Sequence, residues 1–180
     1  MRTRLKFLLL YFIGWVLFFE SIRLLFVTYH YSKTSSVPGA EILKSFWYGL
    51  RMDLSVAAYI LVPVCLFVLL SLFLPLFRRT IIYKIYSVAI LFVACLIVLA
   101  DLEMYNAWGF RIDAGPLKFL TTPREAIASI SHLPLVWISI LFIIGFSALA
   151  FLLCRWINWI FFKNIPSSKI VAVSNKAFKT

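Results

Sequence analysis

The sequence predicts an all-α, polytopic membrane protein with four transmembrane helices, short outer-interface helices and both termini in the cytoplasm. Three observations support this fold class. Hydrophobic residues make up 63% of the 180 residues and charged residues 14%, and the mean hydropathy of +0.98 is far from that of a water-soluble domain. Four apolar runs reach the length of about 20 residues that spans a bilayer. The lysines and arginines are unevenly distributed around these runs, which indicates the orientation of the chain.

The four apolar runs define the predicted spans, at about residues 7–27, 54–77, 81–100 and 133–154. Together they form a predicted transmembrane domain over residues 1–155. The first run follows a basic start, as in a signal peptide, but it has no small-residue cleavage site and outlasts a signal-peptide core. We therefore interpret it as a retained helix. A proline inside the second run can introduce a kink.

The basic residues indicate which segments face the cytoplasm, because lysine and arginine concentrate in cytoplasmic loops. With the N-terminus inside, all of the net charge of +11 lies on the inner face, where it attracts anionic lipid, and the outer charges cancel. The inner segments contain no acidic residue, and their basic residues are Arg2, Arg4, Lys6, Arg78, Arg79, Lys84, Arg155, Lys163, Lys169, Lys176 and Lys179. The outer acidic residues are Glu20, Glu41, Asp53, Asp101, Glu103, Asp113 and Glu125. The outer basic residues are Arg23, Lys33, Lys44, Arg51, Arg111, Lys118 and Arg124.

Segments between and after the spans also show helical patterns. Apolar residues recur at helical spacing over 41–51, which predicts an interfacial helix on the outer leaflet before the chain turns into the second span. Residues 122–125 have a capping-box pattern, which predicts the start of a short outer helix before the fourth span. Residues 156–162 are aromatic but too few to span. Residues 156–180 are therefore predicted to be an inner-interface segment with a basic cytoplasmic tail.

One local pattern occurs twice, each time just after a tryptophan at the outer end of a span. Trp47 precedes Gly-Leu-Arg-Met-Asp at 49–53, and Trp108 precedes Gly-Phe-Arg-Ile-Asp at 109–113. Arginine and aspartate two residues apart do not face each other on a helix. Either each charge therefore serves a different partner, or the glycine permits a turn.

Two interpretations of these charges remain open. In the first, Arg51 pairs with Asp113 and Arg111 pairs with Asp53, because an unpaired charge in the half-dry interface is costly. These pairs would fasten the outer helices together. In the second, the arginines bind the phosphate of a lipid headgroup, since the guanidinium fork matches phosphate geometry.

Other charged residues at the outer ends of the spans favour pairing within the protein. Glu20 and Arg23 are three residues apart on the first helix and are expected to form an inward-facing structural ion pair. Asp101, Glu103 and Tyr105 end the third helix at the same level. Two nearby acids can bind a divalent cation, but residues two apart diverge on a helix, so a solvated or arginine-paired end is favoured.

The remaining reactive side chains give no metal or catalytic pattern. His30 and His132 are expected to be interface histidines, because no cluster has metal-ligand spacing. Cys65, Cys95 and Cys154 fall inside apolar spans and are expected to be small buried hydrophobes. No nucleophilic triad or phosphate-binding glycine loop is present, so the sequence assigns this chain no catalytic residue and no metal. Nucleic acid is not an expected partner, since the basic residues flank spans and do not cluster on one soluble face.

The residues quoted above carry a family resemblance. Residues 46–55, Asp101 with Tyr105, 109–113 and 117–125 are similar to the N-terminal transmembrane region of the lipoteichoic acid synthase family. These proteins are sulfatase-like phosphoglycerol or phosphoethanolamine transferases, and the resemblance is to the version in Gram-negative, Bacteroides-type bacteria. It covers about residues 1–155. The two repeated segments and the Pro-x-Glu that follows them are its distinctive part.

The resemblance implies a function for this chain as a membrane anchor that presents phospholipid to a headgroup transferase in the bacterial cytoplasmic membrane. In such enzymes a threonine nucleophile and a divalent metal, usually manganese, act in a domain outside the cell membrane. Family members have five spans, whereas four are predicted here and no such domain is present. The sequence is therefore either a fragment or a truncated relative, and a fragment is the favoured interpretation. The alternatives are a small transporter or channel subunit and a stand-alone assembly partner in the envelope; the first is disfavoured because no charge lies at the centre of a span.

Overall fold

The computed structural model describes residues 2–109, 111 and 135–164, and the described residues are almost entirely helical. Four helices are long and apolar enough to cross a membrane, which confirms the predicted fold class. The α-helices are α1 (Arg2–Tyr29), α2 (Tyr31–Thr34), α3 (Gly39–Leu70), α4 (Thr80–Trp108) and α5 (Leu135–Asn164), and a 3-10 helix covers Pro75–Arg78. The spanning helices are α1, α3, α4 and α5.

The four long helices run alternately up and down. Phe7 near the start of α1 contacts Tyr83 near the start of α4 and Phe161 near the end of α5, with ring centroids 5.5 and 5.9 Å apart. We call this the basic end. At the opposite end, which we call the ion-pair end, Tyr29 of α1 lies beside Glu103 of α4. Both ends of the described chain therefore lie at the basic end, and the location of this end in the cytoplasm stays a prediction.

Aromatic packing and one buried hydrogen bond hold the basic end together. The Tyr11 and Ser87 hydroxyls are 2.8 Å apart, and Ser87 donates to the carbonyl of Tyr83 at 2.6 Å. Because the Ser87 proton is used in that bond, Tyr11 donates to Ser87. Residues 156–162 were predicted as an interfacial anchor, but they continue α5, and Ile157 and Ile160 are fully buried against the other helices. One face of this segment is thus part of the core, whereas Trp159 is 54% exposed.

Helix α3 is longer than the second predicted span and differs from it at both ends. Its 32 residues extend about 48 Å, which exceeds the roughly 30 Å hydrocarbon layer. The predicted interfacial helix over 41–51 is the first part of this helix, and the chain makes no turn before the span. Apolar periodicity over 41–51 is continuous with that of the span, and Gly49 is accommodated in the helix. The prediction of a separate interfacial helix at this position was therefore wrong.

The second span ends at Leu70 and does not continue to residue 77 as predicted. Pro75 is the physical reason, because a proline disfavours helical backbone at the residue before it. Leu74 is accordingly extended, with φ −111° and ψ 118°, and Pro75 begins the short 3-10 helix. Pro63, in contrast, lies within the uninterrupted helix.

Helix α4 extends two turns beyond its predicted end at residue 100, and this extension carries the acidic side chains to the ion-pair end. It ends at Gly109, whose φ of 77° is left-handed and whose N–H donates to the Tyr105 carbonyl at 3.0 Å. Glycine adopts this conformation without the steric penalty of a Cβ atom, which explains why the helix ends here. The short outer helix predicted from residue 122 lies outside the described residues.

Candidate functional site at the ion-pair end

All of the acidic residues in the described part of the chain lie toward the ion-pair end, and each has a polar partner there. They are Glu20, Glu41, Asp53, Asp101 and Glu103. In contrast, the described stretches at 7–19, 54–77, 85–100 and 136–154 carry no charge. The acidic groups thus occupy the level at which the spans meet the outer interface in the predicted topology.

Arg23 of α1 is the centre of the first ion-pair group. Its guanidinium donates to the Asp53 carboxylate of α3 at 2.6 Å and to the Ser45 carbonyl at 3.4 Å. Its Nε lies 3.7 Å from the Glu20 carboxylate, which is within the distance of an ion pair but too long for a hydrogen bond. The Arg23 and Asp53 side chains are only 19% and 14% exposed. The pair therefore joins the two helices in a largely desolvated site.

Gly49 makes this approach possible. A Cβ atom built on Gly49 would overlap the guanidinium of Arg23, so the missing side chain is the space that the guanidinium occupies. Gly49 and Asp53 are four residues apart and share the face of α3 that meets α1. Arg51 is two residues from both Gly49 and Asp53, so its side chain points away from α1. It is exposed.

Arg111 and Asp101 form the second ion-pair group. Two guanidinium nitrogens of Arg111 donate to one Asp101 oxygen, at 2.7 and 3.2 Å. The guanidinium also lies over the Phe26 ring, 4.7 Å from its centroid, in cation–π geometry. Asp101 is buried, whereas the Arg111 side chain is 59% exposed. The left-handed turn at Gly109 reverses the chain so that Arg111 can reach back to α4.

A third group joins the end of α1 and the short helix α2 to the end of α4. The Tyr29 hydroxyl donates to the Glu103 carboxylate at 3.4 Å. Lys33 donates to the Tyr105 carbonyl at 3.2 Å, and its ammonium lies 4.8 Å from the centroid of the Tyr105 ring. His30 is buried between these rings, and its Nδ1 donates to the Phe26 carbonyl at 3.2 Å.

The predicted crossed pairing was wrong where the structure describes both partners. Asp53 pairs with Arg23 and Arg111 pairs with Asp101, so Arg111 and Asp53 do not pair with each other. The other predicted pair, between Arg51 and Asp113, includes a residue outside the described ones. The expectation of an arginine-paired end to the third helix is confirmed at Asp101.

The structure also places the predicted aromatic and reactive residues. Trp47 is 74% exposed on α3, as an interfacial tryptophan would be, whereas the side chains of Trp108 and His132 lie outside the described ones. Cys65, Cys95 and Cys154 are half-buried and form no disulfide. Among the described residues, no three histidine, cysteine, aspartate or glutamate side chains are grouped so that they could hold a metal ion.

Comparison of the chain with known proteins gives no relative from which a function can be transferred. Neither protein-family models, nor curated proteins, nor solved structures match it. A functional hypothesis must therefore be argued from the residues. The exposed arginines at the ion-pair end can bind an anion, and the buried carboxylates fix the helices that carry them.

Proposed function

We propose that this chain is the membrane anchor and lipid-presenting domain of a phospholipid headgroup transferase, as its resemblance to the lipoteichoic acid synthase family implies. In this proposal, the ion-pair end faces the outside of the bacterial cytoplasmic membrane. It holds the phosphate of an outer-leaflet phospholipid within reach of a separate catalytic domain. The threonine nucleophile and the manganese ion would belong to that domain, and no step of the transfer is assigned to this chain.

The observation that carries the proposal is the contrast between paired and exposed charges at the ion-pair end. Arg23 is largely buried and donates to Asp53 and to the Ser45 carbonyl, whereas Arg51 is exposed and has no ion pair among the described residues. Arg51 borders a shallow depression on α3 with Tyr48, Met52 and Ser55. The exposed guanidinium provides a fork of donors that suits a phosphate ester, and the hydroxyl of Tyr48 adds a further donor in the same depression.

The basic end supports the orientation that the proposal requires. Arg4, Arg78, Arg79, Lys84 and Arg155 lie on helix ends that the structure brings to this end. Basic residues concentrate on the cytoplasmic side of membrane proteins, where they meet anionic lipid. We infer that this end contacts anionic lipid of the inner leaflet.

Substituting Arg51 with glutamine is expected to reduce the phospholipid that copurifies with the protein by about tenfold. Loss of one charge-assisted contact of about 1.4 kcal/mol corresponds to that factor. Retained lipid is measured by mass spectrometry after detergent purification, and stability by thermal unfolding. Arg111→Gln is expected to lower retention too, but it also lowers stability because it leaves the buried Asp101 carboxylate without this partner.

Lys44→Gln is the matched control, because Lys44 is a second cation of α3 at the ion-pair end but is paired with Glu41 at 2.7 Å. It should leave lipid retention unchanged. If Arg51→Gln and Arg111→Gln both lower stability and neither lowers retention, these arginines are structural and the proposal is wrong.

A further inference from the structure

An apolar groove opens between α1, α4 and α5 in the half of the bundle next to the ion-pair end. Its volume is about 430 Å³, within the range of small-molecule sites in proteins. Helices α4 and α5 pack against each other, but the groove between them and α1 is open at the side. Its lining includes Ile22 and Leu25 of α1, Leu99 and Leu102 of α4, and Phe142 and Gly145 of α5.

The length of the groove matches one acyl chain of one leaflet. It extends along α1 from Phe18 to Tyr29, which is about 16 Å at the helical rise. One leaflet contributes about 15 Å, half of the hydrocarbon layer. The groove therefore begins at the interface and ends near the bilayer midplane, as an acyl chain of an outer-leaflet lipid does.

The mouth of the groove carries one acidic side chain. Glu103 lines the mouth and accepts a hydrogen bond from Tyr29, and it has no ion pair among the described residues. Lys33 and Arg111 are tied to Tyr105 and Asp101, which lie two residues from Glu103 and therefore on a different face of α4. The charge that the groove itself presents is Glu103, and a lipid headgroup with an ammonium group complements this carboxylate.

We propose that this groove seats one acyl chain of an outer-leaflet phospholipid whose headgroup carries an ammonium group. The inference rests on the proposed function for its lipid occupant and adds the position of that lipid, on α1, α4 and α5. Arg51, on the far side of α3 from α1, would then meet a different lipid or the headgroup of a neighbouring one.

Gly145 offers a substitution that fills the groove without disturbing the fold. A Cβ atom at Gly145 would meet no atom within 4 Å, so Gly145→Leu places its side chain in open space. The matched control is Ser147→Leu, since Ser147 is exposed two residues away and so lies on the opposite side of α5. Both substitutions add the same side chain to the same helix.

The test uses the full chain in vesicles of phosphatidylethanolamine and phosphatidylglycerol that contain phosphatidylethanolamine with a photoreactive acyl chain. Crosslinks mapped by mass spectrometry should concentrate on residues 18–29, 95–103 and 138–149. Gly145→Leu should lower that labelling by about fivefold, which corresponds to about 1 kcal/mol of lost affinity, and Ser147→Leu should not. Labelling spread evenly over all outward helix faces would overturn the proposal, as would labelling that Gly145→Leu leaves unchanged.

A second arm tests the headgroup. Glu103→Gln should reduce labelling by photoreactive phosphatidylethanolamine relative to the phosphatidylglycerol analogue, and Glu41→Gln should not, because Glu41 is already paired with Lys44. An unchanged ratio in Glu103→Gln would overturn the assignment of the ammonium group. If neither lipid labels the groove and its residues instead crosslink to residues 112–134, the chain itself occupies the groove and the proposal is overturned.

The two proposals can fail separately. If Arg51→Gln loses retained lipid but the groove is not labelled, the proposed function stands and the groove assignment fails. If the groove is labelled and Gly145→Leu abolishes labelling, while Arg51→Gln and Arg111→Gln retain lipid normally, the groove stands and the headgroup role of the two arginines fails.

Discussion

Replacing Arg23 with methionine is expected to lower the free energy of unfolding by about 3–5 kcal/mol, the usual cost of removing one partner of a buried ion pair. The substitution leaves the Asp53 carboxylate, 14% exposed, without its 2.6 Å donor between α1 and α3. Methionine keeps most of the side-chain length, so the lost charge dominates the effect. The free energy of unfolding is measured by titration with a denaturing detergent. Thermal unfolding in a mild detergent gives a second measure of stability.

The double variant Arg23→Met with Asp53→Leu distinguishes the cost of an unpaired charge from the cost of changed packing. Replacing both charges with apolar groups of similar size is often neutral for a buried pair, so the double variant should recover most of the lost stability. Lys44→Met is the control for loss of a cation, because its pair with Glu41 is exposed and contributes at most about 1 kcal/mol. A double variant less stable than Arg23→Met would contradict a pairing role for Arg23.

The second large effect is expected at Gly14, where α1 meets α5. A Cβ atom at Gly14 would overlap the indole ring of Trp156, so even alanine must displace that ring. Overpacking of this kind costs about 1–3 kcal/mol. We expect Gly14→Ala to lower the thermal unfolding temperature.

Gly145→Ala provides the matched comparison for Gly14→Ala. It adds the same atom to a helix but meets open space, so it should be neutral or stabilise by up to about 1 kcal/mol through helix propensity. Combining Gly14→Ala with Trp156→Leu should cost less than the sum of the single substitutions, because the smaller side chain leaves room for the Cβ atom. Strict additivity would mean that Trp156 does not fill the space above Gly14.

The repeated pattern at 49–53 and 109–113, a glycine, an arginine and an aspartate separated by single apolar residues, shows how far local sequence determines structure. At Gly49 the pattern lies inside α3, where the glycine admits the guanidinium of Arg23. At Gly109 the glycine is left-handed and ends α4. Both outcomes use the missing Cβ, and the sequence offered both a helix and a turn. Which one occurs depends on the contacts of each helix, and these are not visible in five residues.

The spans were predictable because apolar length is a property of a single segment. Their ends were less so, although Pro75 is a local signal that could have placed the end of the second span near residue 70. The continuity of α3 through 41–51 was harder to predict, because an interfacial helix and the extension of a span have the same apolar periodicity.

Pairing of charges between helices was the part that sequence could not resolve. Arg23, Asp53, Asp101 and Arg111 were all expected at the outer level, and the structure finds them toward one end of the bundle. Their partners depend on the rotation and register of neighbouring helices, and a turn of one residue brings a different face into contact. The crossed pairing was argued from the cost of an unpaired charge, which does not specify the partner, whereas the actual pairs follow the packing of α3 against α1 and the turn at Gly109.

The most direct test of the account is the side of the membrane on which the ion-pair end lies. With Cys65, Cys95 and Cys154 changed to alanine, Ser36→Cys reports on the exposed segment between α2 and α3, and Arg79→Cys on the segment between α3 and α4. Intact spheroplasts are treated with a membrane-impermeant maleimide. The account predicts labelling of Ser36→Cys in intact spheroplasts and of Arg79→Cys only after permeabilisation. The reverse pattern would place the ion-pair end in the cytoplasm and contradict the proposed presentation of outer-leaflet lipid.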